Sequence, residues 1–510
     1  MKQLLTTFVL LTIHLIGNAQ SGSYDATFGT GGIIASPYVN SQEYNSVRMH
    51  NNMYLVAGSA FINGTDRLVL ARYTQTGQLD NTFGISGVSN TTEISTGTFT
   101  EQGIEIQTQS SGKLMVLSNN FVTRFTANGI LDTTFYKMPF GFSNFIGLDF
   151  VVQANDKIMV CGYEATGADN GQLVKLTANG TYDSTFGING IKDYSQATFS
   201  TYAIFSSMVR QPDGKYLIVG KCSDVGLSFP DGYENLIMRV DSNGNLDNTF
   251  NSTGYKRWNS GASGENSAIQ DIVLQPDGKI LVSGDIINST GSSVGTFIAR
   301  LNAAGSMDTG FGTNGTFYEN STSSLELSTI NLALQNDGGI VWIGNNSLTF
   351  LYTPVCIKLK ANGQKDASFG SNGIAQFPIS IKDYDVRNGM LDNNSKIVVV
   401  GGSIDLNTFE SGYFIARIGN GATTSGTENL LAATSIQVYP NPCHDLIQLT
   451  SSEINLVNDQ ITFFDLLGRP MLTSVFKPQG IDVSSLSNGS YLLQLKHDEN
   501  IYQTMIQIAR

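Results

Sequence analysis

The chain has 510 residues, 41% hydrophobic and only 14% charged, against about 25% charged in an ordinary soluble chain. Lys and Arg number 29 and Asp and Glu 42, a net charge of −13, which leaves no electrostatic case for binding nucleic acid or anionic lipid. Four Cys and four His exclude a disulfide scaffold and argue against a His-rich metal site, while 54 Gly beside 11 Pro suits many short strands and turns.

Residues 1–19 read as a secretory signal peptide. Lys2 opens it, Leu4–Ile16 is an apolar run too short to span a membrane, and Gly17 and Ala19 place small residues before a cleavage point.

Residues 20–421 are periodic. Asp-x-(Thr/Ser/Gly)-Phe occurs seven times, ending at Phe28, Phe83, Phe135, Phe186, Phe250, Phe311 and Phe369, with spacings of 51 to 64 residues. A second mark is a strand running into a turn: ARYTQTG, TRFTANG, VKLTANG, MRVDSNG, ARLNAAG, IKLKANG and ARIGNG. A third is a hairpin, QPDGKYLIVG at Gln211 and QPDGKILVSG at Gln275, with weaker copies elsewhere and an apolar strand before each. Each unit thus supplies four strands: a before the PDG turn, b after it, c before the second turn, and d after Asp-x-Thr-Phe. Four antiparallel strands at this period predict an all-β fold, a seven-bladed β-propeller of four-stranded blades. The first Asp-x-Thr-Phe has no a–c strands before it, and the last a–c set has no d strand after it. Tyr24–Ala35 is therefore expected to complete the last blade and close the ring, removing the edge an open array would leave. An open β-solenoid would not need these offset ends.

These marks resemble the delta-60 β-propeller repeat family across residues 24–420, most closely in blades four and five. In blade two Tyr136 stands where Gly is usual. The resemblance implies a fold and no activity.

The recurring Asp and Thr invite a catalytic reading, but an active site does not recur seven times at even spacing. Short polar side chains that bond backbone N–H groups two residues on close turns, and the Phe then anchors each turn. Asp213-Gly214 and Asp277-Gly278 read as hairpin turns in the same way. His50 is the one His in the repeats and sits at a hairpin. Cys161, Cys222, Cys356 and Cys443 show no pairing logic and read mostly as small buried apolar residues. No HExxH, GxSxG or phosphate loop occurs. A carboxylate pair needs no such motif, and Glu265, Asp271, Asp285 and Glu319 are candidates for one.

In an antiparallel blade the a–b and c–d turns share one end and the b–c and d–a loops the other. The first set is short and stereotyped. The second varies from blade to blade, so it is the expected binding face. Tyr233, Arg257 and Trp258 lie on its longest loops and are the expected ligand contacts, suited to a sugar ring or a protein. Packing at the end of a d strand is the competing reading for Trp258. Trp342, inside strand b, reads as core.

Residues 422–433 are a small, polar connector, and residues 434–510 form a compact unit of six or seven strands, a small β-sandwich of Ig-like kind. Val438–Pro442 (VYPNP), Asp465–Arg469 (DLLGR) and Leu486–Leu495 (LSNGSYLLQL) resemble the type A C-terminal sorting domain of type IX secretion cargo. Tyr439, Pro440, Asn441, Pro442, Gly468, Gly489 and Tyr491 carry that resemblance. It implies the type IX machinery as a partner and a secreted, outer-membrane-surface or extracellular destination.

The sequence therefore predicts a secreted or cell-surface binding or scaffold protein whose propeller presents variable loops to an extracellular glycan or protein. Neither cofactor nor metal is expected. The alternative is a polysaccharide-active hydrolase or lyase with a carboxylate pair in the propeller funnel.

Overall fold

The computed structural model describes residues 22–35, 42–62, 65–90, 104–118, 121–135, 144–165, 169–194, 202–224, 232–262, 264–322, 324–348, 352–377, 382–405, 411–419, 437–440, 443–450, 459–464, 470–477, 479–497 and 500–509. The chain divides into two compact units, Met1–Ala422 and Thr423–Arg510. The signal segment and the connector lie outside the described residues, as do Asn441, Pro442 and Gly468.

The described elements of the first unit are strands, arranged in seven antiparallel sheets. The fourth sheet is typical, with strands a to d at Tyr202–Arg210, Tyr216–Ser223, Glu234–Val240 and Tyr255–Trp258. The second has three described strands, Ile104–Thr108, Leu114–Ser118 and Phe121–Phe125, and its expected strand d falls outside the described residues. In the seventh sheet Lys382–Leu391, Ile397–Asp405 and Ser411–Ile418 are joined by Ile33–Ala35 from the other end of the repeats. Ile33 pairs with Ala416 and Ala35 with Phe414, while Tyr24 bridges Ile418. Of Tyr24–Ala35, then, only the last three residues form a strand. The Asp25–Phe28 turn fills the rest.

Strands b read as continuous apolar runs, as in Leu114–Ser118, where every residue is buried. The cause is burial on both faces. Each apolar cluster is shared by two neighbouring sheets: Leu217 and Ile237 of the fourth meet Ile280 and Phe297 of the fifth, and Val398 and Ile415 of the seventh meet Val56 and Tyr73 of the first. Strand a of each sheet lies against strand a of the next, and that of the seventh lies against that of the first.

Strand a carries a β-bulge in the first, third, fourth, fifth, sixth and seventh sheets. The bulge explains a glycine in the middle of strand b. A Cβ on Gly220 would sit 1.9 Å from the Ile204 carbonyl oxygen, and one on Gly401 1.8 Å from that of Asp385. The second sheet has Ser118 at this position and no bulge. The extra residue and the missing side chain come as a pair.

The second unit has a three-stranded sheet (Gln437–Tyr439, Leu446–Thr450, Ile481–Asp482) and a four-stranded one (Pro470–Val475, Gln460–Phe464, Gly489–His497, Asn500–Ile508). Ile447 and Leu449 of the first share a core with Phe463 and Leu493 of the second.

Candidate functional site

The recurring Asp and Thr act as a turn. The Thr249 amide and hydroxyl both donate to Asp247 Oδ1, at 3.1 and 2.7 Å, and the Phe250 amide donates to the Asp247 carbonyl. The other carboxylate oxygen receives Arg239 Nε at 2.8 Å from strand c. The Arg239 guanidinium also lies 4.9 Å from the Phe250 ring centre, and its Nη1 donates to the Ala303 carbonyl of the fifth sheet at 2.7 Å. Arg72, Arg124, Arg300 and Arg417 repeat this arrangement, with Lys175 and Lys358 as the variant. Sequence reasoning assigned the Asp but passed over the basic partner. Its signal was visible in ARY, TRF, VKL, MRV, ARL, IKL and ARI. The hairpin Lys adds a second cation, as with Lys215 at 2.8 Å from Asp247.

A second constellation lies on strands a. Pairing register aligns Ser46, Glu105, Asp149, Ser207, Asp271, Asn331 and Asn388, one per sheet. Each stands four residues before the turn residue aligned with Gln of QPDG. Asp149 accepts the amides of Phe150 at 2.7 Å and Met208 at 2.8 Å. Asp271 accepts those of Ile272 at 2.8 Å and Leu332 at 2.7 Å. The Ser207 hydroxyl stands 3.0 Å from Asp149 Oδ2 and 3.2 Å from Asp271 Oδ1. Glu105 receives Ser46 at 3.1 Å, Asn388 at 2.9 Å and Arg48 at 3.3 Å. Burial raises the pKa of Glu105 and of Asp271 above the ordinary carboxylate range. Burial, with the charge of Glu105 second, lifts Asp149 to about 7.

Of the four acids picked from sequence, only Asp271 belongs to this group, beside Glu105 and Asp149, which had not been picked. Asp285 accepts the Thr329 amide at 2.8 Å, and burial raises it to about 6. Glu319 pairs with Lys365 and Glu265 caps a loop at Ala262. Among the described residues no three His, Cys, Asp or Glu are placed to hold a metal ion, and no helix is long and apolar enough to cross a membrane.

On the variable-loop end, the three expected contacts differ from the surface trio that loop position suggested. Tyr233 is 6% exposed; its ring lies under the Lys221 ammonium at 4.6 Å and its amide donates to Asn266 at 3.1 Å. The Tyr202 ring of its own sheet lies 6.0 Å away, centre to centre. Arg257 grips Asp224 through both Nη atoms, at 3.0 and 2.9 Å, and Glu234 through Nε at 2.9 Å. Trp258 is half-buried against the core of the fourth and fifth sheets, and its indole donates to Ser260 at 3.1 Å. Tyr233 and Trp258 thus pack, and Arg257 is engaged within its own sheet and loop. Trp342 is fully buried. All four Cys are buried and none is in a disulfide, and His50 is buried beside Arg72 with its pKa lowered, first by desolvation. At the turn end, a hollow of about 440 Å³ opens between the fifth and sixth sheets, lined by Pro276, Asp277, Lys279, Gly338, Ala361 and Asn362 among others.

In the second unit Tyr439 is 45% exposed, whereas Tyr491 is buried and donates to the Ser487 carbonyl at 3.0 Å; Gly489 pairs with Ile508.

Comparison with known proteins follows these boundaries. Residues 51–83, 153–186, 211–250 and 275–311 match the model of a family described as a domain of unknown function (DUF5122) beta-propeller, each match ending on the Phe of the repeated turn. Residues 437–509 match the secretion system C-terminal sorting domain. Among curated proteins none matches in sequence. Similar solved structures include the extracellular domain of a one component system from B. thetaiotaomicron, 11% identical with a TM-score of 0.39. That likeness covers 96% of this chain, but this chain spans only 59% of that one. Polysaccharide lyase Uly1 is 10% identical with a TM-score of 0.44, over 79% of this chain and 95% of its own. An alpha-L-arabinanase of Penicillium chrysogenum, complexed with arabinobiose, is 8% identical with a TM-score of 0.37, over 75% and 96%. The sorting domain is the address of type IX export, which takes the protein to the cell surface or the extracellular space. Residues 51–311 carry repeats of the DUF5122 beta-propeller family, and residues 437–509 are a secretion system C-terminal sorting domain.

Proposed function

We propose that the seven sheets are the blades of one ring closed by Ile33–Ala35, and that this ring is an extracellular binding scaffold delivered by its C-terminal domain. The blade-to-blade apolar clusters and the pairing of Ile33 with Ala416 support the ring. The observation that carries the binding role is the division of labour between the two ends of the strands. At the a–b and c–d end, each Asp–Arg turn is spent on holding its sheet to the next, as Arg239 does with Ala303. The b–c and d–a loops differ in every sheet and are free to diversify over a rigid base. The ligand is an extracellular glycan or protein met by this loop end. Arg257, whose side chain is 22% exposed, and the half-buried Trp258 beside it are the contacts proposed there.

The hydrolase reading would draw on Glu105, Asp149 and Asp271. Asp149 and Asp271 already take backbone amides on both oxygens, which favours a structural role. A glycan array and a polysaccharide hydrolysis screen on the mature protein test the proposal. Binding without product, lost on replacing the Asp224 or Arg257 side of the loop end, is the expected outcome. A ligand mapped to the hollow at Asp277 and Asn362, or turnover abolished by Asp149→Asn, would overturn it.

A further inference from the structure

We propose that the strands a of the third, fourth and fifth sheets share one proton. Asp149 keeps its proton and donates it to Ser207, Ser207 donates its own hydrogen to Asp271, and loss of the shared proton as pH rises through neutrality loosens these three sheets.

The argument starts from counting hydrogens. Ser207 Oγ is in hydrogen-bond range of two carboxyl oxygens, 3.0 Å from Asp149 Oδ2 and 3.2 Å from Asp271 Oδ1. A hydroxyl has one hydrogen. With both acids ionised, it satisfies one contact and leaves the other as oxygen lone pair facing lone pair. With one acid protonated, both contacts become hydrogen bonds running in one direction. The proton belongs on Asp149. Both acids take one backbone amide on each oxygen, Asp149 from Phe150 and Met208 and Asp271 from Ile272 and Leu332, so it is the Glu105 charge set against Asp149 that places the proton there.

The charges facing the pair agree. Arg48 from the first sheet is the cation that faces the pair, and it is bound to Glu105 of the second sheet at 3.3 Å. Glu105 sets a further negative charge against Asp149. The Cys161 thiol on strand b of the third sheet is pushed up by burial and is neutral. Ser46 and Asn388, which touch Glu105, carry no charge. Three ionised acids against one arginine would leave a net double negative charge in a buried place. Burial accordingly lifts Asp149 to about 7 and raises Asp271.

The sign follows. A carboxyl whose pKa is higher folded than unfolded stabilises the fold at low pH, and that contribution is lost as pH rises from about 4 through about 7. The Met208 amide on Asp149 and the Leu332 amide on Asp271 tie the third sheet to the fourth and the fifth to the sixth. Both amides favour the ionised acids, so the joint that loosens is the Asp149–Ser207–Asp271 link between the third, fourth and fifth sheets.

The test is an infrared titration of the full chain in the protonated-carboxyl stretching region, together with thermal unfolding across the same pH range. A band that disappears with a midpoint near 7 and is missing in Asp149→Asn is expected, with a melting temperature that falls through the same window. Ser207→Ala keeps both acids and cuts the link. The protonated form then loses two hydrogen bonds and the ionised form one, so the midpoint should move down, while Ser207→Thr should restore it. A wild-type protein with no such band overturns the proposal without recourse to any variant. A band whose midpoint is unmoved in Ser207→Ala also overturns it, by showing a proton that is not shared.

Discussion

Arg417 and Asp25 lie 392 residues apart in sequence, yet Arg417 Nε reaches the Asp25 carboxylate at 2.9 Å. Both side chains are nearly buried, 7% and 9% exposed, and Arg417 also lies 5.0 Å from the Phe28 ring centre. The contact repeats what Arg239 does with Asp247 inside one repeat, but here it joins the two ends of the array. Removing one partner of a buried pair costs about 3–5 kcal/mol. Arg417→Met should therefore lower the stability of the first unit by about that much and speed proteolysis near residue 35. Chemical denaturation of wild type and variant checks this, and an unchanged midpoint would count against the joint.

Acid should open the same joints. At Asp183 burial pulls the pKa up, but hydrogen bonds from Lys157 and Thr185 and the charge of Lys157 win and bring it to about 2. Asp25, Asp132, Asp247, Asp308 and Asp366 are lowered as well. A carboxylate with a depressed folded pKa gives stability that is present above about 4 and lost as pH falls through the folded value. Melting temperature should thus drop steeply from about pH 4 toward 2, and less steeply in Asp183→Asn.

Gly220→Ala tests the pairing of bulge and glycine. Its Cβ would meet the backbone carbonyl of Ile204 at 1.9 Å, a clash that no rotamer relieves. A destabilisation of about 1–3 kcal/mol or more is expected. Ser118→Gly, in the sheet without a bulge, should cost only about 0.5–1 kcal/mol. Equal effects in thermal unfolding would show that the bulge does not select the residue.

Trp258→Ala should act on stability before it acts on binding. The ring packs on the core shared by the fourth and fifth sheets, and removing such a ring costs about 3 kcal/mol. Arg257→Ala breaks pairs that are partly exposed, so about 1 kcal/mol or less is expected from stability. Paired measurements of melting temperature and ligand affinity separate the two roles.

Truncation after residue 430 removes the sorting domain and leaves the first unit whole. The truncated protein should fold but stay in the periplasm, which cell fractionation will report. Its appearance outside the cell would mean that export does not depend on residues 437–509.

The sequence by itself determined the repeat. Phe250 recurs as Phe28 and Phe311, Asp247 as Asp25 and Asp308, and the run before Gly220 reads as a strand. These are local signals, because turn chemistry and apolar runs are written within one repeat. The sorting domain was legible for the same reason, through short motifs around Tyr439 and Tyr491. Only the tertiary structure decided what the repeats do to one another. Ser207 stands between Asp149 and Asp271 because three sheets bring strands a together, and no spacing along the chain encodes that distance. Tyr233 looked like a surface aromatic from its loop, but Lys221 and Tyr202 of its own sheet lie against its ring and Asn266 of the next sheet holds its amide. Burial and shared protons are properties of groups from different sheets, and they exist only once those sheets have packed.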